Sequence, residues 1–404
     1  MIHSAFPDHS GGRENWLFHV LRHLDAENYS VSVYSYQSDG RPFYDLSSLR
    51  NLKLVRVPTL QRRANQFRIL NRVTLNLLFW LDARLFVRRV RDRLLRDWGG
   101  GPVIAMNSVI DVLPILGLKR RRPEARIAAS VRGRVAMELA LRSPGSGPFV
   151  PWLRPLLTRY ERRCLRRCDL VLANGFDTRD YLESRGVPSR VVPNGVDFDR
   201  FARPAASPAA ATVGRLRAEG RAIVMMVATL RGLKGVYDLL QAAKQLKDAI
   251  GPRFAVVFVG KGEPGRYRRR ARALGVEDCV RFAGEQKDVP AFLALADVSA
   301  CLSAGAGMSM AALESMAAGR AIVAWDTPVY RQLIEHGVTG VLVPEGDAEV
   351  LAGALANLID EPERRETLGR AAQTGAREYD WPVVTRKLIE ALQLAEAHSP
   401  LDRR

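Results

Sequence analysis

The sequence predicts an α/β protein with parallel sheets, divided into two domains. Apolar runs of strand length alternate with segments of helical periodicity along most of the chain. Such alternation calls for crossover connections and parallel pairing. The 404 residues suffice for two domains of this kind, each with an ample core. A stretch rich in Ala, Pro and Arg, residues 202–221, interrupts the alternation and reads as a linker.

Taken in order, residues 1–6 read as the tail of a first strand, and Gly11-Gly12 turns the chain into a helix carrying Trp16, Leu17, Val20, Leu21 and Leu24. Residues 31–36 and 52–57 alternate as strands. Residues 60–98 are helical in pattern and carry Arg62, Arg63, Arg68, Arg72, Arg84, Arg88, Arg89, Arg91, Arg93 and Arg96, opposed only by Asp82, Asp92 and Asp97. Phe67, Leu70, Phe79, Trp80 and Phe86 interleave with them. A basic helix with an aromatic, apolar side suits a membrane surface; the alternative is one solvated face and one core face. Strands are expected at 102–106, 126–131, 169–173 and 190–193. The second domain is expected to place strands at 222–228, 254–260, 279–284, 297–302, 321–324 and 340–343, with helices between them and closing helices at 348–358, 362–379 and 382–397. The expected division is a first domain at 1–197, a linker at 198–221, a second domain at 222–380, and a last helix and tail at 381–404.

The hydrophobic content of 47% and charged content of 26% are those of a globular protein, whereas the net charge of +18 favours nucleic acid, anionic lipid or phosphorylated ligands. Four cysteines make no disulfide framework, so a reducing compartment is expected. Cys164 and Cys168 stand one helical turn apart and read as packing residues, since neither a second pair nor a histidine cluster completes a metal site. No run reaches the ~18–20 apolar residues that span a bilayer, and no leader is visible at the start.

The most informative stretch is 302–319, L-S-A-G-A-G-M-S-M-A-A-L-E-S-M-A-A-G. It reads as strand end, small-residue loop and helix. That geometry gathers backbone N–H groups and a positive helix end at one point, where a phosphate is the expected guest. Glu314, about one turn into the helix, is placed to accept hydrogen bonds from sugar hydroxyls. The competing reading is a crossover whose small residues serve packing alone.

Around this stretch stand V-G-K-G-E-P-G (259–265), C-V-R-F-A-G (279–284), A-D-V-S-A-C-L-S (296–303) and G-V-T-G-V-L-V-P (337–344), with P-N-G-V-D (193–197) closing the first domain. With G-M-S-M-A-A-L-E-S-M-A-A-G (307–319), these resemble the donor half of the family 4 retaining glycosyltransferases of the GT-B fold, the group 1 glycosyl transferases. The resemblance implies two Rossmann-like domains facing across a cleft. It also implies sugar transfer from a nucleotide-sugar donor with retention, with no cofactor and no bound metal. Gly12 would lie close to the donor diphosphate. Lys234 matches the family lysine that contacts it. The family arginine position holds Thr229, with Arg231 as a substitute cation. Gly307, Met308 and Ser309 would supply the helix end, Glu314 the ribose contact, and Glu285 a further donor contact. The family's first glutamate, which touches the transferred sugar, falls on Ala306. A donor-site histidine is replaced by Arg132, which is counted with Arg62, Arg63, Arg68 and Arg72 on the acceptor and membrane side. The implied acceptor is a lipid-linked or envelope saccharide, and the implied location is the cytoplasm, peripheral on the inner face of the membrane. A longer first strand in the family leads one to expect further residues upstream.

Three alternatives compete. Gly260-Lys261-Gly262-Glu263-Pro264-Gly265 has the spacing of an NAD site in an oxidoreductase, with Glu285 about 20 residues on. The charge suits a nucleic-acid binder, although no nucleic-acid motif accompanies it. Ala306 suits a catalytically impaired, glycosyltransferase-like binding protein.

Overall fold

The computed structural model describes residues 1–2, 6, 12–25, 28–36, 44–58, 77–106, 109–132, 150–230, 234–305 and 307–397. The chain divides into two compact units, one formed by residues 1–194 with 384–404, the other by 195–383.

In the first unit, β1 (Val31–Tyr36) pairs in parallel with β2 (Leu52–Val57), and β3 (Val103–Met106), β4 (Ile127–Val131), β5 (Leu170–Ala173) and β6 (Arg190–Val191) follow one another in a parallel sheet. Ile2 bridges Tyr34 on one side and Ala105 on the other, and so joins the two sets. The tail of a first strand expected at residues 1–6 is thus met by Ile2 at the sheet centre. Strands buried on both faces tolerate near-continuous apolar sequence, and β3, β4 and β5 are buried at every residue. Helix Leu77–Asp97 turns Phe86, Val90 and Leu94, spaced four apart, into this core.

The second unit holds a six-stranded parallel sheet of β7 (Ala222–Val227), β8 (Phe254–Val259), β9 (Val280–Gly284), β10 (Val298–Cys301), β11 (Ala321–Trp325) and β12 (Val341–Val343). Its order is β12-β11-β10-β7-β8-β9. The chain therefore builds outward from β7 to β9, then returns to the other side of β7 with β10. Helix Val236–Ile250 lays Val236, Leu239, Leu240, Ala243 and Leu246 on the sheet, all buried.

One expectation is corrected. Residues 198–221, read as a linker, are folded into the second unit. They form helices Phe198–Ala202 and Ala211–Ala218 with a 3₁₀ turn, Pro208–Ala210, between them. Phe198, Phe201, Ala210, Val213 and Leu216 are part of the second core. The Ala and Pro content that resembles a linker supplies small residues for close packing and a proline at a helix start, where its missing N–H costs nothing. The last helix, Trp381–Ala397, begins in the second unit and continues in the first.

Candidate active site

In open parallel sheets, ligands bind beyond the carboxyl ends of the strands where the strand order reverses. Here that point lies between β7 and β10, paired through Val298 with Val224 and Ser299 with Met225. The segments that follow these two strands carry Thr229 and Lys234 on one side and residues 302–309 on the other. The stretches singled out in the sequence are therefore brought to one crevice.

Lys234 Nζ donates to Ser303 Oγ at 3.0 Å and so spans the crevice. Gly235 holds φ at 73°, and a Cβ there would stand 2.4 Å from Leu302 Cβ, so only glycine lets the two segments approach. Ser303 is fixed in turn: its N–H donates to Tyr330 Oη at 2.9 Å. Gln332 Nε2 donates to the carbonyl of Gly307 at 3.0 Å and to that of Val329 at 2.9 Å. Gly307 sits at φ 94°, in the left-handed region. Helix Met310–Ala317 starts at Ser309, whose side chain accepts from Ala312 N–H. The first N–H groups of a helix have no intrahelical acceptor, and here they lie beside the crevice with the positive helix end.

Glu314 is half-buried on that helix. Burial of its carboxyl raises its pKa to about 7, with the Arg200 guanidinium pulling the other way. Arg200 is exposed and donates to the carbonyl of Lys287 at 3.0 Å. Thr229 is half-buried and Met308 buried, and Glu285 is exposed just beyond β9. Arg231 and Ala306 lie outside the described residues, as do Arg62, Arg63, Arg68 and Arg72. Among the described residues, no cluster of His, Cys, Asp or Glu able to hold a metal forms.

The NAD alternative meets a steric objection. A Cβ on Gly260 would stand 2.0 Å from the carbonyl oxygen of Ala228, and one on Gly262 would stand 2.8 Å from Leu230 Cβ. Leu230 N–H donates to the carbonyl of Lys261 at 2.8 Å. The protein's own chain fills the space these glycines leave, so they admit residues 228–230 and not a pyrophosphate.

In the first unit, Gly12 is the first residue of helix Gly12–His23. Trp16 on that helix donates through Nε1 to the carbonyl of Pro193 at 3.1 Å. The placing of Arg132 among surface cations is corrected. It is 7% exposed, stacks 3.6 Å above the Trp16 ring and donates to Asn194 Oδ1 at 2.7 Å and to Ser130 Oγ at 3.0 Å. Burial holds its pKa well below the usual arginine value. An aromatic face and three oxygen acceptors, the third being the Val192 carbonyl at 3.4 Å, replace its water, and it ties the ends of β4 and β6 to the first helix.

Sequence reasoning missed Ser303 as the partner of Lys234, Tyr330 and Gln332 as supports of the loop, and Arg200 beside Glu314. All four pairings join residues distant in sequence, and no spacing announces them.

The model of the Glycosyltransferase Family 4 matches residues 10–200, and that of the Glycosyl transferases group 1 matches residues 213–375. The chain belongs to these glycosyltransferases. A phosphatidyl-myo-inositol mannosyltransferase of Mycobacterium leprae is 28% identical over 276 residues, 68% of each chain. Against three such mycobacterial relatives the matched stretch spans 56% to 68% of their length. The fold is that of the GT-B glycosyltransferases. Sucrose-phosphate synthase from Thermosynechococcus elongatus superposes with a TM-score of 0.73 at 18% identity, covering 98% of both chains. Anabaena Alr3699/HepE, in complex with UDP and glucose, superposes with a TM-score of 0.71 at 18% identity, covering 97% of this chain and 98% of its own.

Proposed function

We propose that this glycosyltransferase moves a sugar from a nucleotide-sugar donor to a hydroxyl of a lipid-linked or envelope saccharide, with retention and without a metal. The observation that carries the reading is Lys234 reaching across the strand-order reversal to Ser303, beside the start of helix Met310–Ala317. A leaving diphosphate needs fixed positive partners, and a lysine with a helix end supplies them without reorganisation. Glu314 would hold the ribose hydroxyls, and Thr229, Gly307, Met308, Ser309 and Glu285 would complete the donor contacts of the second unit, with Arg231 as a further cation. Retention follows from attack on the face the diphosphate leaves, which asks for no protein nucleophile. The names of the mycobacterial relatives support a lipid-borne acceptor, and a cytoplasmic enzyme peripheral on the inner membrane face would meet it. Among the described residues no helix is long and apolar enough to cross a membrane.

A binding screen of UDP-, GDP- and ADP-sugars against the purified chain tests the reading, followed by transfer to lipid-borne acceptors with analysis of the anomeric product. Nucleotide-sugar binding without transfer favours the impaired reading that Ala306 raises. Tight NAD binding, or DNA binding with a steep salt slope and no nucleotide-sugar affinity, overturns it.

A further inference from the structure

In the first unit the helices Leu77–Asp97, Val109–Arg121 and Val150–Leu165 follow one another as neighbours, and each links consecutive parallel strands. The sequence points to the first of them as the membrane element. Three of its six arginines are answered by its own aspartates: Arg93 pairs with Asp97 at 2.8 Å, and Arg91 with Asp92 at 2.7 Å, while Arg88 lies 4.0 Å from Asp92.

Helix Val150–Leu165 differs on both counts. Leu156 is 64% exposed and Tyr160 45% exposed, both large apolar side chains in water. Arg159 and Arg163 lie on the same face, three and seven residues from Leu156, and Arg167 continues it just past the helix. Arg162 and Arg166 flank the face, and all five arginines are exposed. The helix's only acid, Glu161, is turned inward and 4% exposed. Among the described residues none of the five arginines forms an ion pair. A row of apolar tips with uncompensated cations beside it fits a surface that is apolar below and anionic above.

We propose that Leu156, Tyr160, Arg159, Arg163 and Arg167 form the face on which this enzyme docks to an anionic lipid bilayer. The two apolar side chains enter the headgroup boundary, and the guanidinium groups meet lipid phosphates. The charge complementarity is one-sided, since no exposed acid on the helix would repel the membrane or prefer a basic partner. The purpose of such docking rests on the lipid-borne acceptor proposed above; the docking itself does not.

The experiment is vesicle co-sedimentation of the full chain. One set of vesicles is pure phosphatidylcholine, the other equal parts phosphatidylcholine and phosphatidylglycerol. Recruitment to the anionic set alone, released by salt, is expected. R159E/R163E/R167E should lower the partition by far more than the roughly five-fold per charge that neutralisation implies. L156S/Y160S should lower it with little change in salt dependence. R88E/R89E, on helix Leu77–Asp97, should have the smaller effect. Matched circular dichroism and melting show that each variant is folded. Equal recruitment by both vesicle sets overturns the proposal, as does full binding by R159E/R163E/R167E, or preference for duplex DNA or for self-association through this face. Nucleotide-sugar binding on the same samples separates failure of the docking face from failure of the transferase reading.

Discussion

Lys234 Nζ already has a neutral hydroxyl partner in Ser303. A diphosphate entering the crevice would give it a charged one, and that difference is what binding gains. Lys234→Ala is expected to weaken nucleoside-diphosphate binding by about 1.5–3 kcal/mol, read by calorimetry. Glu314 titrates near 7 because burial penalises its charged form. Ribose hydroxyls donate to a carboxylate, so donor affinity should fall as pH drops through about 7. The stability sign is opposite. A carboxyl whose pKa is raised by folding favours the fold when protonated, and this contribution is lost as pH rises from the unfolded value of about 4.5 through about 7. Glu314→Gln should therefore raise the melting temperature at pH above 7 relative to the parent while weakening donor binding; an unchanged pH profile of melting would remove the buried charge from the account. Ala306→Glu tests the residue that departs from the family. The resemblance implies that position 306 faces the transferred sugar; a carboxylate there would act on positive charge that develops as the phosphate leaves, and should raise kcat by the equivalent of about 2.7–4 kcal/mol and donor affinity by less.

At the scale of elements, the proposed donor crevice depends on how tightly the segments after β7, β8 and β10 approach. Gly260 admits the carbonyl of Ala228, and Gly235 admits Leu302. Gly260→Ala places a methyl where a backbone oxygen already stands and adopts a φ of 149° that side chains rarely take. Loss of about 1–3 kcal/mol in urea unfolding is expected, with weaker donor binding because residues 228–230 lead into Lys234. The strands, by contrast, are legible directly: β1, β2 and β8 lie within a residue of their expected bounds, β8 because a fully buried parallel strand is an apolar run, β1 and β2 because partly buried strands alternate. Residues 198–221 were misread for the converse reason. Composition reports small residues, but small residues serve both loose linkers and tight packing, and only the neighbours decide between them.

At the scale of the whole molecule, the net charge of +18 is unevenly answered. Helix Leu77–Asp97 pairs three of its six arginines internally, whereas those of residues 159–167 form no ion pair among the described residues. Raising salt should release the protein from anionic vesicles while affecting nucleotide-sugar binding at the proposed donor site less, because partly buried contacts are screened less than exposed ones. Charge reversal at Arg62, Arg63, Arg68 and Arg72 provides the comparison with helix Val150–Leu165, and co-sedimentation ranks the two sets of arginines.

The sequence by itself determined the α/β class and the parallel strands, and it singled out residues 302–319, Lys234 and Glu314 as candidates. Each rests on local pattern: periodicity of apolar residues, glycine at turns, and a helix start after a strand. Tertiary structure alone decided that the segments of Lys234 and residues 302–309 share one crevice, because that follows from β10 returning beside β7. It alone buried Arg132 against Trp16 and set Arg200 beside Glu314. It also turned Glu161 inward and left the arginines of 159–167 facing solvent. Charge compensation and burial depend on what stands within a few ångströms in space, and for residues far apart along the chain no spacing in the sequence encodes that distance.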